Sequence, residues 1–222
     1  MRSRSDSESP QSRPRMNDQA LLHLKADARM AEVISRIGPL TFSPPRRQSP
    51  YQSIAHAIIH QQLNGKAAAT ILRRFKGISG GRKFPEPALV AGLDPQKLRE
   101  AGLSRGKASY LQGLARMTAD GKIPSLKEFD RMPDDQIVEV LTAVKGVGQW
   151  TAEMFLIFNL GRPDVLPVGD LGVRRGYQIA YRKRSLPDPE KLRAFGQRWS
   201  PFRTTAALYL WRAADFLKDG DW

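Results

Sequence analysis

Asp170 is the residue whose type and setting most readily do chemistry. It follows Leu166-Pro167-Val168-Gly169 and opens what reads as a helix at Leu171-Gly172-Val173. A carboxylate there meets the N–H groups and positive dipole of the helix start, which keep it ionised. An ionised carboxylate suits stabilisation of a developing positive charge better than removal of a proton from water. The same residue is also an ordinary N-cap, a role worth about 1 kcal/mol, and the two roles are compatible. Upstream, Lys145-Gly146-Val147-Gly148 separates two helical patterns, the second starting at Gln149-Trp150-Thr151-Ala152. Two glycines one residue apart permit a tight hairpin with positive φ at one or both. They leave backbone N–H groups uncovered at the next helix start, where phosphate binds. Such a hairpin can grip a nucleic-acid backbone without reading sequence, although a plain helix–helix turn carries the same glycines.

His56 and His60 lie one helical turn apart, a spacing able to bind metal. Ala57 stands where a metalloprotease helix needs Glu, and His23 is the only other histidine. Structural or DNA-facing roles are therefore expected for both.

The charge gives these groups a partner. Lys and Arg number 36 against 22 Asp and Glu, a formal charge of +14 over 222 residues. That excess favours a polyanion. A membrane surface fits less well, since no helix combines a wide apolar face with a basic one. The chain has no cysteine, which excludes disulfides, thiolate-bound zinc, iron–sulfur clusters and a thiol nucleophile. The densest apolar run, Met154-Phe155-Leu156-Ile157-Phe158, is far too short to span a bilayer. No secretory signal is visible. A soluble, intracellular protein of the cytoplasm, nucleoid or nucleus is expected.

The elements that must position these residues read as helices. Residues 1–15, rich in Ser, Arg and Pro, read as a disordered basic tail. One helical pattern runs from about Asn17 to the stop at Gly38-Pro39. Ser49 can cap a second helix, with Pro50 in its first turn. Tyr51, Ile54, Ala55, Ile58 and Ile59 then form an apolar stripe. Further helices are expected over about Lys66–Phe75, Asp94–Ala101, Lys107–Ala119, Asp134–Val144, Gln149–Asn159, Leu171–Tyr181 and Ser200–Leu217. Gly77 to Gly81, Pro85, Pro87, Gly121, Pro133, Gly161 and Pro163 punctuate them. No alternating run supports a strand, so the fold class is all-α.

The stretch Lys145 to Ala152, followed by a Gly/Pro-rich loop and Asp170, resembles the helix-hairpin-helix DNA glycosylases. More narrowly it resembles the 3-methyladenine DNA glycosylase II branch, which excises alkylated bases. The likeness continues in Ile58-Ile59-His60-Gln61-Gln62-Leu63-Asn64-Gly65-Lys66-Ala67-Ala68 and Gly102-Leu103-Ser104-Arg105-Gly106-Lys107. It extends to Trp199-Ser200-Pro201-Phe202-Arg203-Thr204 and Tyr209-Leu210-Trp211. It runs in the family's order over roughly Ser49 to Leu217.

The resemblance implies a two-lobed α-helical glycosylase body, in its short helical-only form, with the base held in a cleft between lobes. The body would fill residues 16–222, with a middle lobe at about 65–160 and the other lobe from 16–64 plus 161–222. It implies that Asp170 is the catalytic carboxylate and that Gln62 or Leu63 is the wedge filling the hole left by an extruded nucleotide. Trp150, Met154 and Trp211 would line the base pocket, Met154 standing where a relative carries an aromatic. Lys145, Gly146, Val147, Gly148, Gln149, Thr151 and Arg174 would meet the DNA backbone, with Arg175 adding charge and His60 touching DNA beside the wedge. No cofactor is required; carbonyls of Thr142, Val144 and Gly146 correspond to those that hold a monovalent cation, Na+ or K+, when DNA is bound.

Trp150 occupies the place where bifunctional relatives carry a lysine nucleophile, so the resemblance implies a monofunctional hydrolase without lyase activity. The expected partner is double-stranded DNA containing alkylated bases such as 3-methyladenine and 7-methylguanine, bound by a monomer in base excision repair. A non-catalytic helix-hairpin-helix protein that binds distorted duplex is the alternative. A glycosylase for oxidised or deaminated bases is disfavoured by the missing lysine and by the tryptophans.

Overall fold

The computed structural model describes residues 18–40, 47–81 and 83–216. The expected tail over residues 1–15 lies outside them. Among the described residues the chain is all-helical, with no strand. In chain order the helices are α1 (Asp18–Lys25), α2 (Ala28–Ile37), α3 (Pro50–His60), α4 (Gly65–Gly77), α5 (Pro87–Gly92), α6 (Pro95–Glu100) and α7 (Arg105–Ala119). They continue as α8 (Leu126–Arg131), α9 (Asp134–Thr142), α10 (Gln149–Phe155), α11 (Leu171–Ala180), α12 (Pro189–Gly196) and α13 (Arg203–Phe216).

Caps explain most of the boundaries. Ser49 accepts the Gln52 N–H at 3.3 Å with Pro50 in the first turn, as the sequence predicts for α3. The single helix expected from Asn17 to Ile37 is instead broken. Asp27 leaves helical geometry and accepts the N–H groups of Arg29 and Met30, which starts α2 afresh. Three short helices lack a sequence expectation. Of these, α8 has a full capping box between Ser125 and Glu128, α12 is capped by Asp188, and both α5 and α12 begin with proline. Each is too short for apolar periodicity to reveal it.

The chain forms two compact units, residues 45–162 and residues 1–44 with 163–222. This corrects the lobe boundary expected near residue 65. Helix α3 belongs to the middle unit, because its apolar stripe Tyr51, Ile54, Ala55, Ile58 and Ile59 is buried while it packs on α4, α7 and α10. Helix α7 is the spine of that unit, touched by α3, α5 and α6.

In the terminal unit α2, α11 and α13 enclose a core of Met30, Val33, Val173, Tyr177, Trp199, Tyr209 and Leu210. Helices α11 and α13 share the most extensive packing among the described helices, and Gly176 lets them approach closely. A Cβ at Gly176 would lie 1.9 Å from the Leu210 carbonyl oxygen.

The loop leading to α11 is tied to the start of α13. The Asp164 carboxylate accepts the Arg203 guanidinium through two nitrogens, at 2.7 and 2.9 Å, and the Ser200 hydroxyl at 2.8 Å. Thr204 adds a buried bond from the Val165 N–H at 3.0 Å. Burial alone would raise the Asp164 pKa. The Arg203 and Ser200 hydrogen bonds and the Arg203 charge outweigh it and hold the carboxyl below its ordinary value of 3.8. The stabilisation is therefore complete above the unfolded-state pKa and lost as pH falls through the lower folded-state value. Urea unfolding should show stability declining below about pH 4, and Asp164→Asn should flatten that part of the slope while lowering stability at neutral pH.

Candidate active site

In the terminal unit, Asp170 caps α11. Its Oδ1 accepts the Val173 N–H at 2.9 Å and also the indole N–H of Trp211 at 2.7 Å. The first bond is the cap the sequence predicts. The second comes from α13 and fixes the side chain from a second direction. Gly172 permits it, since a Cβ there would lie 2.8 Å from Trp211 Cδ1 and 3.1 Å from Asp170 Oδ1. Gly172 and Gly176, one turn apart, thus form the track along which Trp211 and Leu210 lie. The indole of Trp211 is half-buried, and its N–H acts on the carboxylate, a role the sequence reading did not assign.

Arg174 is half-buried and donates to the Pro187 carbonyl at 3.0 Å. That bond ties its guanidinium to the loop before α12, a structural duty beside any contact with phosphate. Arg175 is exposed.

In the middle unit, α9 and α10 form the hairpin. Gly146 alone takes positive φ, at +88°, while Gly148 lies at −97° and serves as the α10 N-cap. A side chain at Gly146 would collide with the Tyr110 ring, 2.2 Å from its Cδ2. Val147 is buried and pins the turn, whereas Lys145, Gly148 and Gln149 are exposed. As N-cap, Gly148 makes no side-chain bond to the first turn of α10. Gln149 donates to Glu153 at 3.0 Å. The Thr151 side chain is buried, so a contact of this residue with a DNA backbone would fall to its main chain.

Trp150 is 49% exposed, too open for a core residue. Met154, one turn on, is half-buried. The turn between α3 and α4 projects Gln62 and Leu63 into solvent. Gln62 adopts φ +55°, a left-handed conformation that costs a non-glycine residue roughly 1–2 kcal/mol. His60 is exposed beside it. His56 packs against Phe84, and burial, then Lys76 and His60, hold its pKa below the ordinary imidazole value. Among the described residues no group of three His, Asp or Glu side chains could hold a metal, and no helix is long and apolar enough to cross a membrane.

Residues 55–201 match the model of the HhH-GPD superfamily base excision DNA repair proteins. The chain is 36% identical over 206 residues to DNA-3-methyladenine glycosylase 1 of Schizosaccharomyces pombe, covering 90% of both chains. A 3-methyladenine DNA glycosylase of that organism, solved in complex with abasic DNA, superposes with a TM-score of 0.79 at 36% identity, over 87% of this chain and 95% of that one. A DNA-3-methyladenine glycosidase of Bacillus halodurans gives 0.81 at 34% identity over 92% of each. The chain belongs to the HhH-GPD superfamily.

The superfamily match contains the Gln62-Leu63 turn, the hairpin and Asp170, whereas Trp211 lies beyond it. Besides the Trp211 bond, the sequence reading missed Gln61, whose side-chain amide donates to the Gly146 carbonyl at 2.9 Å and so links the two projecting turns. The carbonyls expected to hold a monovalent cation are partly engaged, because Val144 accepts the Val147 N–H at 3.0 Å and Gly146 accepts Gln61. Each oxygen keeps a second lone pair, so neither bond excludes such an ion.

Gly146→Ala combines a strained φ with a ring collision. It should lower the unfolding free energy by about 1–3 kcal/mol in a denaturant titration, whereas Gly148→Ala, with open space around its Cβ, should cost less.

Proposed function

We propose that this protein is a monofunctional DNA glycosylase that extrudes alkylated bases such as 3-methyladenine from duplex DNA and releases them by hydrolysis. The observation that carries the reading is the Asp170 carboxylate, held on one oxygen by the Val173 N–H and the Trp211 indole. The similarity to 3-methyladenine glycosylases supports the substrate class.

An intact duplex hides the sugar C1′, so the nucleotide must rotate out of the stack at a cost of a few kcal/mol. The projecting Gln62-Leu63 turn is suited to occupy the gap and offset part of that cost. The hairpin around Gly146 and Gly148 offers main-chain N–H groups to a phosphate, and Lys145 and Arg175 add attraction independent of sequence. A monovalent cation held by the carbonyls of Thr142, Val144 and Gly146 would supply further positive charge for the phosphate.

A base alkylated at N3 or N7 is cationic, and it leaves with the electron pair of the glycosidic bond as a neutral molecule. Positive charge then develops on the sugar, where Asp170 stabilises it and orients the water that adds to C1′. Preorganisation matters because a carboxylate already fixed by two donors need not rearrange as the charge appears. The exposed Trp150 face favours a cationic base over a neutral one, by about 0.5–2 kcal/mol.

Incubation with methylated duplex, followed by chromatography of the released bases, tests the reading. Wild-type protein should free alkylated bases, and Asp170→Asn should not; duplex binding without release by wild type would favour the non-catalytic alternative. Trp211→Phe keeps an aromatic ring but removes the donor to Asp170. Loss of such a charge-assisted bond, worth about 1.5–3 kcal/mol, should lower single-turnover release by about 10- to 100-fold.

A further inference from the structure

Lys107 sits in the first turn of α7, a poor place for a cation with respect to that helix's own dipole. Its ammonium group serves a different helix. Nζ donates to the Ile59 carbonyl at 2.8 Å and to the Gln61 carbonyl at 2.5 Å, acceptors at the C-terminal end of α3. Carbonyls at a helix end lack intrahelical partners, and a cation there also complements the negative end of the dipole. Desolvation lowers the Lys107 pKa below the ordinary lysine value, a consequence of holding the group half-buried against these oxygens.

The residue after Gln61 is Gln62, held at positive φ without the help of glycine. Gln61 is therefore fixed at both ends: its carbonyl by Lys107, its side-chain amide to Gly146 of the hairpin. One residue links α3, α7 and the α9–α10 turn directly in front of the projecting side chains.

We propose that Lys107 and Gln61 form a clamp that holds the Gln62-Leu63 turn stiff and in fixed register with the hairpin, making Lys107 a positioning residue for nucleotide extrusion. The proposal rests on the reading of Gln62-Leu63 as a wedge. A side chain driven between stacked bases meets a restoring force, and a turn free to swing would yield to it. The clamp maintains the left-handed conformation at Gln62 under that load. It has no part in breaking the glycosidic bond, so its loss should be felt only where a stack must be opened.

The test compares wild type with Lys107→Met and Gln61→Leu, and includes Lys107→Arg as a variant that keeps a cationic donor. Two readouts are used. The first is the fluorescence of 2-aminopurine placed opposite a tetrahydrofuran abasic analogue in a duplex, which rises when the wedge unstacks it and needs no chemistry. The second is single-turnover release of 7-methylguanine from duplex and from single-stranded DNA of the same sequence. Lys107→Met and Gln61→Leu should each cut the fluorescence gain and slow duplex release by about tenfold, with single-strand release little changed. Lys107→Arg should restore part of both. Equal losses on duplex and single strand, or an undiminished fluorescence gain in both clamp variants, would overturn the proposal. Failure of wild type to release any base would sink the enzymatic reading alone, since the fluorescence still judges the clamp.

Discussion

In the proposed chemistry the Asp170 carboxylate can stabilise charge on a substrate only if something prevents it from turning away, and the bond from the Trp211 indole supplies that hold. One residue caps α11 and the other lies on α13, and the bond needs the two helices to approach closely. Gly176 lets the α13 backbone approach, Gly172 makes room for the indole ring, and the Asp164–Arg203 fork sets where α13 begins relative to the loop that carries Asp170. Much of the terminal unit can be understood as scaffolding for one oxygen atom. The buried stripe Val173, Tyr177 and Leu210 supplies the apolar burial that holds the helix pair together.

The middle unit solves a different problem, presenting the hairpin backbone and the Gln62 and Leu63 side chains at its surface on braced turns. Gly146 can pass over Tyr110 only because it has no Cβ, and Val147 anchors the turn from inside. The bond from Gln61 to the Gly146 carbonyl then ties that turn to the one between α3 and α4. Exposed groups at the tip are supported by buried or hydrogen-bonded neighbours, which lowers the entropy lost when DNA is engaged.

The legible parts of the sequence were those encoded by neighbours. The stripe from Tyr51 to Ile59 fixed the inner face of α3, Ser49 and Asp170 announced their helices, and Gly146 marked the hairpin. The break at Asp27 was not legible, because apolar spacing continues across it and a cap competes with the helix only through its own side chain. The partner of Asp170 was missed for a different reason. Nothing in the spacing between Asp170 and Trp211 distinguishes a tryptophan that stacks on a base from one that donates to a carboxylate. Lys107 was hidden likewise, since its carbonyl acceptors belong to another helix. Gly172 and Gly176, one turn apart, were the one local hint of a close helix approach.

The central claim is electrostatic: a fixed negative charge favours a cationic sugar. The most direct measurement compares binding to duplexes that differ only in one abasic analogue, a cationic pyrrolidine ring or a neutral tetrahydrofuran ring. Wild type should bind the cationic analogue more tightly, and Asp170→Asn should lose that preference. Equal affinity of wild type for the two duplexes, or a preference that survives the substitution, would contradict the claim.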